Sequence, residues 1–202
     1  MIHPKLLSKA VAILIMVFCM LQGCGKSASS HNPYVANMND FSYSGQLTDD
    51  SCVFRVNALG EEVCVAEFQD WFVWVDYSAP WCSPCNSQAK VIKLLENEMG
   101  DTAVFLTVMT SETAEFQSIP TRKTAKRWAQ RFRLNPARVV VANDKWGMTI
   151  PTHILFSPTG QTIYRAKGFH SKDQILEIMD RYMRDWKNWS ENGAVADWMK
   201  TG

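Results

Sequence analysis

Apolar residues along the 202-residue chain fall into segments of different period, and each period predicts an element. Trp71-Phe72-Val73-Trp74-Val75-Asp76-Tyr77 is apolar nearly throughout, the pattern of a central strand covered on both faces. Ala103 to Met109 reads as a second buried strand. Between them Val91, Leu94 and Leu95 recur at helical spacing in a helix from about Cys82 to Met99, which Gly100 closes. Strand, helix and strand of this size make a right-handed βαβ unit. Upstream, Val53–Val56 and Val63–Val65 are strand-like and flank the turn Asn57–Glu61, predicting a hairpin. A turn at Ala58 to Glu61 sets Cys64 across the ladder from Arg55. Downstream, Thr121 to Phe132 reads as a helix and Arg138 to Ala142 as a short strand. Thr152–Phe156 and Thr162–Ala166 flank Ser157-Pro158-Thr159-Gly160-Gln161, a hairpin turn. Ser171 caps a last helix, Lys172 to about Trp186, with Ile175, Leu176, Ile178 and Met179 inward. In the tail from Trp189, Trp198 either packs on the domain or meets a partner.

The start of the chain follows another pattern. Ala10 to Met20 is an apolar run of eleven residues preceded by Lys5 and Lys9, with no acid nearby. A helix needs about 20 residues to cross a hydrocarbon core, so the run fits a secretory signal peptide instead. It ends in Leu21-Gln22-Gly23-Cys24, which resembles the lipobox of bacterial lipoproteins. That resemblance implies cleavage before Cys24 and lipidation of Cys24. An ordinary signal peptide or an uncut anchor is the competing reading. Gly25 to about Gln46, rich in Ser, Asn and Gly, reads as a flexible tether. The expected organisation is therefore a signal peptide over 1–23, a tether over 24–46, a globular domain over 47–188 and a tail over 189–202. Its expected location is the bacterial cell envelope, lipid-anchored, with the domain facing the periplasm or the cell exterior. Disulfides persist there.

Composition excludes one class of partner. Lys and Arg number 21 against 20 Asp and Glu, without the basic excess of a nucleic-acid binder. Arg122, Lys123, Lys126, Arg127 and Arg131 do gather on one predicted helix face, either a solvated face or a docking surface for an acidic partner. Of six cysteines, Cys19 leaves with the signal and Cys24 is blocked by lipid. Cys52, Cys64, Cys82 and Cys85 remain for chemistry.

Cys82-Ser83-Pro84-Cys85 opens the predicted helix. Two cysteines at this spacing close a disulfide across a first helical turn. There the free backbone N–H groups and the positive end of the helix dipole favour a thiolate on the first sulfur. Cys82 is then the attacking nucleophile and Cys85 the resolving thiol. A c-type haem site needs His after the second Cys, and residue 86 is Asn. Zinc needs four ligands, and no second close-spaced pair joins Cys52, Cys64, His153 and His170. No metal or other cofactor is expected.

The segment from Val73 to Cys85 closely resembles the active-site segment of the thioredoxin superfamily: an apolar strand ending in Asp and an aromatic residue, a loop, then Trp-Cys-x-Pro-Cys. The resemblance implies that Asp76 is the buried acid that relays the proton of Cys85. An apolar strand end would raise its pKa by desolvation; the alternative is an exposed Asp. Trp81 would cover the disulfide. The family's cis-proline has two candidates, Pro120 and Pro151. A charged helix follows Pro120, whereas the strand, glycine turn and strand required by the family follow Pro151, which is therefore chosen. Ile150 would then offer its backbone to an extended substrate. His153 reads as an ordinary strand residue.

About 66 residues separate Cys85 from Pro151, so a helix and strand at roughly 113–142 are additional. The expected fold is α/β, thioredoxin-like, with an N-terminal β-hairpin and a central helix–strand insertion. It resembles membrane-anchored thioredoxin-like reductases, including those of cytochrome c maturation, and the related peroxiredoxins. The implied activity is thiol–disulfide exchange as a reductase or isomerase. Disulfide-containing proteins are the implied substrates, with a membrane partner giving or taking electrons. A thiol peroxidase and a non-enzymatic interaction module are the alternatives. Cys52 and Cys64 are candidates for a structural disulfide. The predicted register opposes it by placing them on opposite faces, and a second redox pair is the other reading.

Overall fold

The computed structural model describes residues 55–142 and 149–200. Two short strands come first, β1 (Arg55–Val56) and β2 (Glu62–Val63), antiparallel to each other. A five-stranded sheet follows, built from β3 (Phe72–Ser78), β4 (Ala103–Met109), β5 (Val139–Val141), β6 (Thr152–Phe156) and β7 (Thr162–Lys167). Its order is β5-β4-β3-β6-β7, with β3, β4 and β5 parallel and β6 and β7 antiparallel to their neighbours. The helices are α1 (Ser83–Met99), α2 (Arg122–Phe132), α3 (Lys172–Asn192) and the short α4 (Asp197–Lys200). This is the thioredoxin-like α/β fold expected from the sequence, with α2 and β5 lying between β4 and β6.

Residue alternation along the strands sorts the core into two layers. Phe72, Trp74, Phe105, Met109 and Leu155 pack with Ala89, Ile92 and Leu95 of α1, Trp128 and Phe132 of α2, and Ile175, Met179 and Trp186 of α3. Val73, Val75, Tyr77, Leu106, Val108 and Ile154 face the other way, against Val63, Phe68 and Trp71. With both faces covered, every residue of β3 and β4 is buried, which is why these strands lack polar alternation. No helix among the described residues is long and apolar enough to cross a membrane.

Several expectations shift. The hairpin pairs Arg55 with Val63, not Cys64. Asn57 sets this register: its Oδ1 accepts from the backbone N–H of Leu59, Gly60 and Glu61, which tightens the turn. The expected pairing of Cys64 with Arg55 therefore does not hold, and Cys52 lies outside the described residues. On α1 the inward residues are Cys85, Gln88, Ala89, Ile92 and Leu95, whereas Leu94 is 53% exposed. Helix α3 runs to Asn192, beyond the expected end near Trp186, because its inward stripe continues from Trp186 to Trp189, which packs on the core, and the left-handed Gly193 ends it. A full capping box between Ser171 and Gln174 starts it. Trp198 packs on the domain: it stacks on Trp186 with centroids 6.3 Å apart, and its Nε1 donates to Asp185 Oδ2 at 3.1 Å.

Candidate active site

Strand β3 runs out of the sheet at Ser78, and Ala79-Pro80-Trp81 carries the chain over to α1. Cys82 is the N-cap of that helix and Pro84 lies in its first turn, where a missing N–H costs nothing. Cys82 and Cys85 form a disulfide with S–S 2.00 Å and Cα–Cα 5.2 Å. The backbone N–H of Cys85 donates to Cys82 Sγ at 3.2 Å. Asn86 holds the cap from behind, its Nδ2 donating to the Cys82 carbonyl at 2.7 Å. Cys85 is fully buried and Cys82 nearly so, while Ser83 and Pro84 between them are exposed. Trp81 is 37% exposed and meets Phe116 edge-on, with centroids 5.2 Å apart.

Asp76 lies on β3 in phase with Phe72 and Trp74, so it faces the layer containing Cys82 and Cys85. It is 1% exposed. Burial lifts its pKa from the ordinary carboxylate value to about 7, against the Ser78 hydroxyl, which donates to Oδ2 at 2.6 Å and pulls it down.

The Ile150–Pro151 peptide bond is cis. Ile150 is half-buried and Pro151 buried. Antiparallel pairing sets Thr152 opposite Tyr77, so this proline enters β6 at the sheet end where β3 gives way to the cysteine loop. Elements distant in sequence thus bring Cys82, Cys85, Trp81, Asp76, Ile150 and Pro151 to one end of the sheet. Cys64 does not join them; it is buried beside the β1–β2 hairpin. Cys24 and Cys52 lie outside the described residues.

One residue that the sequence reading set aside belongs here. His153 is the cross-strand partner of Asp76, fully buried, with Nδ1 3.3 Å from Asp76 Oδ1. Burial lowers its pKa to about 4, with His170 adding to the effect and the Gly168 carbonyl opposing it. Trp74 packs on His153 with centroids 5.4 Å apart, and His170 meets it edge-on at 4.8 Å. The signal in the sequence was the pairing itself: once Pro151 starts one strand and Asp76 ends its neighbour, His153 falls beside the acid.

No protein-family model matches the chain. It is 28% identical over 119 residues to thioredoxin of Bacillus subtilis (strain 168), an alignment covering 58% of this chain and 88% of that protein. Among solved structures it resembles the pneumococcal exposed lipoprotein thioredoxin of Streptococcus pneumoniae strain TIGR4. The TM-score is 0.52 at 20% identity, over 64% of this chain and 98% of that one. A thiol:disulfide interchange protein of the thioredoxin family from Chlorobium tepidum TLS aligns with TM-score 0.53 at 17% identity, over 65% of this chain and 93% of that one.

Proposed function

We propose that the chain, a protein-disulfide oxidoreductase, acts in the bacterial cell envelope as a lipid-anchored reductase or isomerase of protein disulfides. The observation that carries this reading is the Cys82–Cys85 disulfide at the N-terminus of α1, on the sheet face that also holds Asp76.

In the reducing direction, the Cys82 thiolate attacks a substrate disulfide. One new sulfur–sulfur bond forms, and the first substrate sulfur leaves as a thiolate. Cys85 then loses its proton, with Asp76 as acceptor, and attacks Cys82. The substrate's second sulfur departs with its electron pair, and the enzyme is left oxidised. A second donor must return two electrons, and a membrane protein fills that role in this reading. Pro84 before Cys85 favours the reducing direction over a strong oxidant. Trp81, Ile150 and Pro151 form the substrate-binding rim, with the backbone of Ile150 meeting an extended chain. The lipobox over 21–24 supports lipidation at Cys24, and a solved relative is itself an exposed lipoprotein. Cys52 and Cys64 form a structural bridge in this reading. Cys82 and Cys85 are taken by each other, and the register that opposed the pairing, with Cys64 across from Arg55, is not the one found.

A Cys85→Ala variant expressed with its full leader tests the function. It should accumulate mixed disulfides through Cys82 with envelope proteins. It should also fractionate with membranes, and lose that association when Cys24 is replaced by Ser. A Cys82–Cys85 potential near about −120 mV, as in strong oxidants, would overturn the reductase assignment.

A further inference from the structure

Asp76 Oδ1 and His153 Nδ1 are both fully buried, 3.3 Å apart, and neither has a hydrogen-bond partner among the described residues. The surroundings fix what each atom can be. His153 Nε2 lies 3.0 Å from the Gly168 carbonyl, which can only accept, so Nε2 carries the hydrogen. The Gly168 carbonyl also takes His170 Nδ1–H, at 3.1 Å. In the neutral ring Nδ1 is therefore a bare lone pair, aimed at Asp76. On the acid, Oδ2 is occupied by the Ser78 hydroxyl, which leaves Oδ1 for the gap. With no proton there, two buried acceptors face each other, a costly arrangement. One proton satisfies both atoms at once.

We propose that Asp76 and His153 form a proton-sharing pair, in which His153, as a positioning residue, sets the proton affinity of the buried acid. The proton rests on Asp76 Oδ1 and is donated to His153 Nδ1. The pair is neutral when loaded, and unloading leaves one carboxylate facing a lone pair. Loading accompanies oxidation of the cysteines: the proton lost by Cys85 is the one the pair receives as the Cys82–Cys85 bond forms. Directly after oxidation the pair is thus loaded. Among the described residues, few other ionisable groups meet the pair. His170 approaches from the segment after β7, and its Nε2 takes the Tyr164 hydroxyl. Helix α1 brings the neutral Gln88, whose Oε1 accepts from the His170 backbone, and the cysteines themselves. Strand β4 sets the neutral Thr107 beside Asp76.

The inference deepens the role given to Asp76 above, and the two can fail separately. In the oxidised protein, the Asp76 carboxyl carbon and His153 Nδ1 are followed by carbon-13 and nitrogen-15 NMR across pH. The pair predicts one joint transition with Nε2 protonated throughout. A His153 with its hydrogen on Nδ1, or an Nδ1 signal unmoved while Asp76 titrates, overturns it. His153→Asn places an amide N–H where the lone pair was and stabilises the carboxylate. Its Asp76 transition should fall by about one pH unit or more, a tenfold loss of proton affinity. An unchanged transition also overturns the pair. Function is read from the reduced enzyme and a chromogenic aromatic disulfide, where Cys82 releases the first thiol and Cys85 the second. The acid limb of the second release should follow the Asp76 transition and move with it in His153→Asn. If the joint NMR transition holds but Asp76→Asn leaves the second release unaltered, the relay role of Asp76 falls and the pair stands.

Discussion

The backbone N–H of Cys85 points at Cys82 Sγ from 3.2 Å, so the first turn of α1 presents a donor to the sulfur that carries charge in the reduced enzyme. A thiolate gains from such a donor and from the helix terminus behind it, whereas a thiol gains little. Cys82 is therefore expected to titrate below the usual thiol value of about 8.5. The pH dependence of alkylation, followed by peptide mapping, checks this. Cys82 should react first and Cys85, fully buried, should lag. Alkylation of Cys85 ahead of Cys82 would contradict the assignment.

Asp76 ties stability to pH. Its pKa rises from 3.8 in the unfolded chain to about 7 in the fold, so between those values the native state holds a proton that the unfolded state has lost. Stability from this group is full below pH 3.8 and declines as pH rises through about 7. Asp76→Asn removes the decline. The stability of the variant relative to the parent should grow from pH 5 to pH 8 in urea unfolding. A constant difference would mean that the acid is not buried as described.

Leu94 and Leu95 are neighbours with opposite fates. Leu95 is fully buried between α1 and the sheet, and Leu95→Ala should cost about 2–5 kcal/mol through lost burial and a cavity. Leu94 is 53% exposed, so Leu94→Ala should stay within about 0.5 kcal/mol. Chemical denaturation of both variants decides this. Comparable losses would mean that α1 is rotated from the orientation seen.

Ser171 Oγ accepts from the Gln174 backbone at 3.3 Å while Gln174 Oε1 accepts from the Ser171 backbone at 2.8 Å. Ser171→Ala removes one half of this exchange and should lower stability by about 1 kcal/mol. Ser171→Asp should restore most of it, since either oxygen can cap. A thermal melt series is sufficient.

The parts legible in the sequence are those where local pattern and global burial agree. β4 and β6 have the bounds their sequence pattern predicts, because strands covered on both faces are mainly apolar and admit only the few polar residues that find a place in the site. The cysteine turn and its cap were legible because a helix N-terminus is a local event. Other features depended on distant partners. The hairpin register turns on three backbone contacts to the Asn57 side chain, which spacing alone does not reveal. Leu94 suits an apolar face until the orientation of α1 is set by Cys85, Ala89 and Ile92. His153 reads as filler in β6 until β3 is laid beside it and Asp76 becomes its neighbour.

The position of β5 has a consequence for how this fold tolerates change. The strand joins the sheet at its outer margin beside β4, while the chain re-enters at β6 on the far side of β3. The strand–strand seam that unites acid, histidine and proline is thus untouched by what is added at that margin. What lies between β4 and β6 still reaches the site at two points, Phe116 against Trp81 and the cis Ile150–Pro151 step before β6, so change is tolerated only in the stretch that touches neither these nor the core residues Trp128 and Phe132.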